Sequence, residues 1–88
     1  MRLLFTPQAW DDYLHWQNND RRVLRRLNGL IEDTRRHPFD GIGKPEPLRG
    51  SLAGYWSRRI TAEHRLVYRV VEAGADRRLE VVACRYHY

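Results

Sequence analysis

The chain has 88 residues, of which 42% are hydrophobic and 31% are charged. A chain this short buries only about two-thirds of the surface that it would expose when unfolded, so we expect one core and one domain, residues 1–88. The longest apolar run is residues 81–84, far short of the roughly 20 residues that a membrane-spanning helix needs. These features exclude a second domain core and predict no membrane segment.

Cysteine and histidine usage limits the chemistry further. The single cysteine, Cys84, cannot form a disulfide within the chain or a cysteine-based zinc cluster. The four histidines show no ligand spacing, so we expect no metal site and no cofactor. The start of the chain is too short an apolar run for a secretory signal, and we expect a cytoplasmic location. Cys84 lies in an apolar strand pattern, which favours a core residue over a nucleophile.

The charge favours an anionic partner. Sixteen Lys and Arg residues against eleven Asp and Glu residues give a net charge of +5, and fifteen of the sixteen are arginine. Small basic domains attract nucleic acid, and the planar guanidinium group binds phosphate well. The codon bias of a GC-rich genome would give the same arginine content, so the charge indicates a class of partner and not a reaction.

The N-terminal half predicts a strand followed by two helices. Residues 2–5 form a short strand pattern, and Thr6 with Pro7 is typical of a helix N-cap followed by proline at the first helical position. Asp20 can cap a second helix, which ends before Pro38. The polar surface of this second helix is either solvated or a contact for RNA or an acidic partner. Its arginines are Arg21, Arg22, Arg25, Arg26, Arg35 and Arg36.

A long loop follows the second helix. Residues 37–50 contain three prolines and three glycines, which predicts a segment without regular structure. Pro45 and Pro47 restrict the backbone on both sides of Glu46. Glu46 is therefore either a catalytic base aimed by a stiffened loop or an ordinary charged loop residue.

The C-terminal half predicts strands at residues 55–61, 65–71 and 79–86, joined by hairpins. Together with the N-terminal elements, this order predicts an α+β fold. We expect two helices packed on one face of a small antiparallel sheet, with the other face open for a ligand.

Alternation along the strands assigns side chains to faces. Arg65, Val67 and Arg69 share one side of the middle strand, and the two arginines predict that this side faces solvent. The side taken by His87 stays open, because its alternation set is largely apolar. If the chain leaves the sheet near Arg85, His87 is free to point at a ligand.

Four ordered segments resemble the YoeB (Txe/YoeB) toxins, which belong to the RelE superfamily of bacterial toxin–antitoxin systems. They are residues 43–48 (GKPEPL), 54–60 (GYWSRRI), 63–68 (EHRLVY) and 83–88 (ACRYHY). The resemblance spans essentially the whole chain and implies a microbial-ribonuclease-like fold.

The resemblance also implies an activity, namely ribosome-dependent endonucleolytic cleavage of mRNA in the A site without a metal. It implies that Glu46 is the general base, that Arg65 stabilises the transition state, that His87 is the general acid and that Tyr88 adjoins the site. The residues expected to contact RNA are Lys44, Arg49, Arg58 and Arg59.

The expected partners are the ribosome, mRNA, a second copy of the chain and a cognate antitoxin. The resemblance implies a homodimer and a YefM- or Phd-like antitoxin, whose acidic C-terminal segment complements the charge of +5. Two alternatives remain. One is a ParE-type inhibitor of DNA gyrase, which should lack the set of Glu46, Arg65 and His87. The other is a basic RNA- or ribosome-binding module without catalysis.

Overall fold

The computed structural model describes residues 1–87, which form two helices and a five-stranded sheet. The elements in chain order are β1 (Arg2–Phe5), α1 (Pro7–Asn19), α2 (Arg21–Arg36), β2 (Glu46–Pro47), a short 3-10 helix (Gly50–Leu52), β3 (Trp56–Arg59), β4 (Arg65–Ala73) and β5 (Asp76–Ala83). Both helices contribute to a single core on one face of the sheet. The predicted α+β class is confirmed.

The helix boundaries follow from the predicted caps. The Thr6 hydroxyl accepts a hydrogen bond from the Ala9 backbone N–H at 3.2 Å, and Pro7 begins α1. The Asp20 carboxylate accepts from the N–H groups of Arg22 and Val23, which begins α2. These bonds satisfy donors that the first turn of a helix leaves unpaired.

The sheet order is β1-β5-β4-β3-β2, and one pairing differs from the expected antiparallel arrangement. β1 runs parallel to β5, whereas the other neighbours are antiparallel. Parallel neighbours need a long connection. Here the helices and three strands lie between β1 and β5 in the chain, so β1 joins the sheet at the far side of β5.

The predicted loop contains some regular structure, so the expectation that residues 37–50 lack it is wrong in part. Glu46 and Pro47 pair with Ser57 and Trp56 as the short edge strand β2, and a 3-10 helix begins at Gly50. An edge position tolerates proline because its missing N–H removes no bond that the sheet interior needs.

The sheet face that packs on the helices has the predicted alternation until a bulge in β5. Leu66 and Tyr68 are fully buried against the helices, as are Leu79 and Val81. Val67 pairs with Ala83 while Tyr68 pairs with Val81, so β5 holds one extra residue at that point.

The bulge shifts the alternation in the last part of β5. As a result Cys84, and not Ala83, reaches the core. Burial raises the pKa of the Cys84 thiol to about 12, which fits the predicted role of a small core residue. Within residues 1–87, neither helix is long and apolar enough to cross a membrane.

Candidate active site

Strand register brings charged side chains together on the sheet face opposite the helices. Glu46 pairs with Ser57, which in turn pairs with Val67. Arg59 and Arg65 are the opposing pair two residues further along the same ladder. Opposing residues of antiparallel strands share a face, as do residues two apart in one strand. Glu46, Arg59 and Arg65 therefore lie on one face, which we call the open face.

Glu46 is placed on this face by an unusual stretch of backbone. Gly43 and Lys44 both adopt positive φ, 81° and 53°, and the Gly43 carbonyl accepts from the Arg59 N–H at 2.7 Å. A Cβ at Gly43 would come within 2.7 Å of the Leu30 side chain, so this close approach requires glycine. Glu46 itself is exposed, and no hydrogen bond or ion pair within residues 1–87 occupies its carboxylate.

Arg65 is buried, with only 8% of its surface exposed, and the predicted solvent-facing position is therefore wrong. Its Nη1 donates to the carbonyls of Thr61 at 2.7 Å, Ala62 at 3.3 Å and His64 at 3.0 Å. The turn between β3 and β4 thus closes over the guanidinium and satisfies Nη1, which offsets part of the cost of burial. Among the described residues no partner uses Nε or Nη2, so these donors remain for a ligand.

The C-terminal tail leaves the sheet after Ala83 and is held by α1. The Cys84 N–H donates to the Asp12 carboxylate at 3.0 Å, and the Cys84 carbonyl accepts from the Trp16 indole at 2.7 Å. Both helix side chains are buried. The last strand therefore ends at Ala83, so the prediction that it continues to Tyr86 is wrong, and the condition for freeing His87 from the sheet is met.

Beyond Cys84 the tail returns to Arg65. The Arg65 N–H donates to the Tyr86 carbonyl at 3.1 Å, and the His87 Nε2 lies 3.3 Å from the Ala62 carbonyl. Arg65 Nη1 bonds the same Ala62 carbonyl. The arginine and the exposed imidazole of His87 therefore meet at one carbonyl, and strand register places Glu46 on the same sheet face as the arginine. Tyr88 lies outside the described residues.

The residues predicted to contact RNA divide into two groups. Lys44, Arg49 and Arg59 are exposed, and they lie on β3 or on the segments flanking β2. Arg58 is fully buried. Its neighbours show that Arg58 points to the helix side, because it pairs with the core residue Leu66. The prediction that Arg58 contacts RNA is therefore wrong.

Arg58 instead ties the loop to α2. Its Nη1 lies 2.6 Å from the Asp33 carboxylate and also donates to the Ile42 carbonyl, while its Nη2 donates to the carbonyls of His37 and Asp40. The Arg58 hydrogen bond lowers the pKa of Asp33. Strand alternation places Arg58 and Arg59 on opposite faces, and that signal could have separated their roles in the sequence.

Ion pairs neutralise the other end of the open face. Arg69 pairs with Glu80 at 2.8 Å, and Arg78 pairs with the same carboxylate at 2.9 Å. Both hydrogen bonds lower the pKa of Glu80. Arg77 pairs with Glu72 in the hairpin. The charges of Arg69, Arg77 and Arg78 are therefore compensated, whereas Lys44, Arg49 and Arg59 have no ion pair within residues 1–87. Within residues 1–87, no three His, Cys, Asp or Glu side chains come together as metal ligands.

The class of protein is a small toxin, since a solved toxin that shares this fold is 58% identical to the chain. The family model described as a YoeB-like toxin of bacterial type II toxin-antitoxin system matches residues 5–88. The chain belongs to this family, and the resemblance found in the sequence is confirmed.

Individual relatives agree with this assignment. The toxin YoeB of Escherichia coli (strain K12) is 57% identical over 88 residues, covering 100% of both chains. A solved YoeB/ParE toxin from Agrobacterium tumefaciens is 58% identical, covers 100% of both chains and has a TM-score of 0.94. The solved YoeB dimer from Staphylococcus aureus is 42% identical, covers 100% of this chain and 98% of that one, and has a TM-score of 0.87. A YoeB–YefM complex from the same organism has also been solved.

Proposed function

We propose that this toxin is a ribosome-dependent endoribonuclease that cleaves mRNA in the ribosomal A site and so inhibits translation. The observation that carries the proposal is the meeting of Arg65 and His87 at the Ala62 carbonyl, together with the strand register that puts Arg65 and Glu46 on one sheet face. A carboxylate, a guanidinium and an imidazole are the groups that metal-independent RNA cleavage needs.

The proposed reaction is attack by the RNA's own 2′-hydroxyl on the adjacent phosphorus. The Glu46 carboxylate takes the proton from O2′, and the P–O5′ bond breaks as the O2′–P bond forms. The His87 imidazolium donates a proton to the leaving O5′. The products are a 2′,3′-cyclic phosphate and a 5′-hydroxyl. Tyr88, as the next residue, is proposed to adjoin the same phosphate.

Arg65 is proposed to stabilise the negative charge that develops on the phosphate during this step. Negative charge gathers on the non-bridging phosphate oxygens, where charge-assisted hydrogen bonds are strongest. The turn carbonyls that hold Nη1 fix the guanidinium before substrate arrives, so no reorganisation is needed during the reaction. Lys44, Arg49 and Arg59 are proposed to hold the RNA backbone on either side.

We also infer that the protein acts in the cytoplasm as a homodimer that an acidic antitoxin neutralises. A dimer and a YefM complex are known for the relative from Staphylococcus aureus. The net charge of +5 favours an acidic partner segment. The exposed arginines at the start of α2 offer it a cationic surface. They are Arg21, Arg22, Arg25 and Arg26.

The test is incubation of the purified protein with ribosomes programmed by a defined mRNA, followed by mapping of the cut ends. We expect cleavage in the A-site codon, with 5′-hydroxyl and 2′,3′-cyclic phosphate ends, and none of free mRNA at the same concentration. Ribosome binding without cleavage would support the non-catalytic alternative. Inhibition of DNA gyrase supercoiling without cleavage would support the ParE-type alternative. Either result would contradict the proposed function.

A further inference from the structure

The C-terminal tail has a second attachment, and it involves a histidine that the proposed reaction does not use. The Tyr86 N–H donates to Nδ1 of His64 at 2.7 Å. The His64 ring stands edge-on against the Trp16 ring, with centroids 4.7 Å apart, and lies 5.5 Å from the Tyr86 ring. Packing on both sides therefore fixes the direction in which Nδ1 points.

This bond acts at a strained point of the chain. Tyr86 has a φ of +64°, in the left-handed region that side-chain-bearing residues rarely adopt. Such a conformation persists when surrounding bonds over-determine it. Here the Tyr86 N–H is held by His64 and its carbonyl by the Arg65 N–H. The turn at Tyr86 is what directs His87 back to the Ala62 carbonyl.

The bond also depends on the protonation state of His64. Nδ1 can accept the Tyr86 N–H only when it carries no proton, because an imidazolium has two donors and no acceptor. Burial lowers the pKa of His64 below its ordinary value of 6.5, which keeps the ring neutral at neutral pH. The charged and titratable groups around His64 are Glu63 and Arg65 in and after the turn, His15 on α1, and Arg85, Tyr86 and His87 on the tail.

We propose that His64 is a positioning residue whose neutral imidazole, through the Tyr86 N–H, keeps the tail turned so that His87 stays at the active site. Uptake of a second proton by His64 removes the acceptor and releases the tail. The inference rests on the proposed function for the role of His87, but the attachment of the tail is a separate property that can be measured on its own.

Two substitutions of His64 distinguish the role of its hydrogen-bond acceptor from the role of its titrating ring. His64→Asn keeps an acceptor oxygen close to the position of Nδ1 but does not titrate. His64→Leu removes the acceptor. His15→Asn is the matched control, because His15 also stands against the Trp16 ring, at 4.8 Å, and has no bond to the described part of the tail, residues 84–87.

The first measurement is amide hydrogen exchange at Tyr86, followed by NMR across pH. In the wild type we expect protection at neutral pH that is lost as the pH falls below 6.5, beyond the intrinsic pH dependence of exchange. His64→Asn should stay protected throughout, and His64→Leu should be unprotected at every pH. His15→Asn should be protected at neutral pH and lose protection in acid as the wild type does, with a slightly higher midpoint because the His15 charge lowers the pKa of His64.

The second measurement is single-turnover cleavage at saturating ribosome over the same pH range. Misplacing a catalytic group by about 1 Å can cost about 10²-fold in rate. His64→Leu should lose rate by up to that factor without weaker ribosome binding. His64→Asn should restore most of the cleavage rate. Its rate should not show the fall at low pH that protonation of His64 causes in the wild type.

The outcomes separate the two proposals. A Tyr86 amide that is equally protected in the wild type and His64→Leu would overturn the inference, whatever the activity. Loss of protection in His64→Leu with wild-type cleavage would also overturn it. If His64→Leu does not fold, the Tyr86 amide is compared across pH in the wild type and His64→Asn. Protection that does not fall in acid in the wild type would then overturn the inference. A wild type with a protected, pH-sensitive Tyr86 amide but no cleavage would support the tail attachment and contradict the proposed function alone.

Discussion

At the scale of single residues, the proposed proton transfers depend on Glu46 and His87. Glu46→Gln keeps the size and hydrogen-bonding capacity of the side chain but cannot accept the O2′ proton, and His87→Ala removes the donor to O5′. Loss of a general base or acid costs about 10²–10⁴ in rate. We expect each variant to lose single-turnover cleavage by that factor at saturating ribosome.

The control for these variants is Arg77→Ala, because Arg77 lies in the hairpin at the other end of the sheet, where it pairs with Glu72. It should cleave at the wild-type rate. Wild-type rates for Glu46→Gln and His87→Ala would show that neither group transfers a proton in the rate-limiting step.

Arg58 and Arg59 are adjacent in the chain but should respond oppositely to the same substitution. Arg58→Met leaves the Asp33 carboxylate and three loop carbonyls without their donor in a buried site. Removing one partner of a buried ion pair costs about 3–5 kcal/mol. Arg59 has an exposed side chain, so Arg59→Met should change the free energy of unfolding by no more than about 0.5 kcal/mol. Urea denaturation measures both, and equal effects would contradict the structural role of Arg58.

At the scale of elements, the attachment of α2 to the loop should make the free energy of unfolding depend on pH in the acid range. Arg58 holds the pKa of Asp33 below its ordinary value of 3.8, so between the folded and unfolded pKa values the unfolded chain binds more protons. The stabilisation is present above pH 3.8 and is lost as the pH falls through the folded pKa. Unfolding free energies measured down through this range should fall, and the fall should be shallower in Asp33→Asn.

Asp11→Asn, on the exposed side of α1, is the control for this pH series and should keep the wild-type slope. If Asp33→Asn also keeps that slope, the carboxylate does not have the depressed pKa. The acid dependence would then have to come from other paired carboxylates, of which Glu80 is the most buried.

The elements also show what local sequence can and cannot predict. Thr6 and Asp20 act through bonds within one turn, so their patterns located both helices. The parallel pairing of β1 and the short β2 depend on partners far along the chain, and local periodicity does not record them. Alternation along β4 predicts that Arg65 faces solvent. Alternation shows which face of the strand a side chain is on, but it does not show whether another segment covers that face. The turn at residues 61–64 covers that position.

The residues of the candidate site were predicted from the sequence by family resemblance and not by periodicity. Glu46, Arg65 and His87 come from three segments with no common periodicity, and their residue types alone left Glu46 ambiguous. The family resemblance selected all three. Strand register places Glu46 and Arg65 on one sheet face, and the returning tail brings His87 to a carbonyl that Arg65 also bonds. Their catalytic roles stay predictions. His64 and Asp12, which hold the tail or its start, carried no sequence signal because their partners are backbone atoms.

At the scale of the whole molecule, carboxylates compensate some of the positive charges and not others. The hairpin end of the sheet carries four arginines, and all of them are paired with carboxylates. They are Arg2, Arg69, Arg77 and Arg78. By contrast, Lys44, Arg49 and Arg59, which lie on β3 or on the segments flanking β2, have no ion pair within residues 1–87. The exposed arginines at the start of α2 also have no ion pair in that range. A polyanion is therefore attracted to these two surfaces in preference to the hairpin, before any specific contact forms.

This polarity predicts that docking and catalysis are carried by different residues. Each phosphate neutralised by an arginine releases a counterion, so Arg49→Ala and Arg59→Ala should weaken ribosome binding and flatten the log–log salt slope by about one unit or less per contact. Arg77→Ala should leave the slope unchanged, because Glu72 already compensates its charge. His87→Ala should also keep the slope, since its proposed work lies in the transition state. Ribosome affinity measured over several salt concentrations, together with single-turnover cleavage at saturation, tests this division. An unchanged slope in Arg49→Ala and Arg59→Ala, or an equal flattening in His87→Ala, would show that the two tasks are not separated along the molecule.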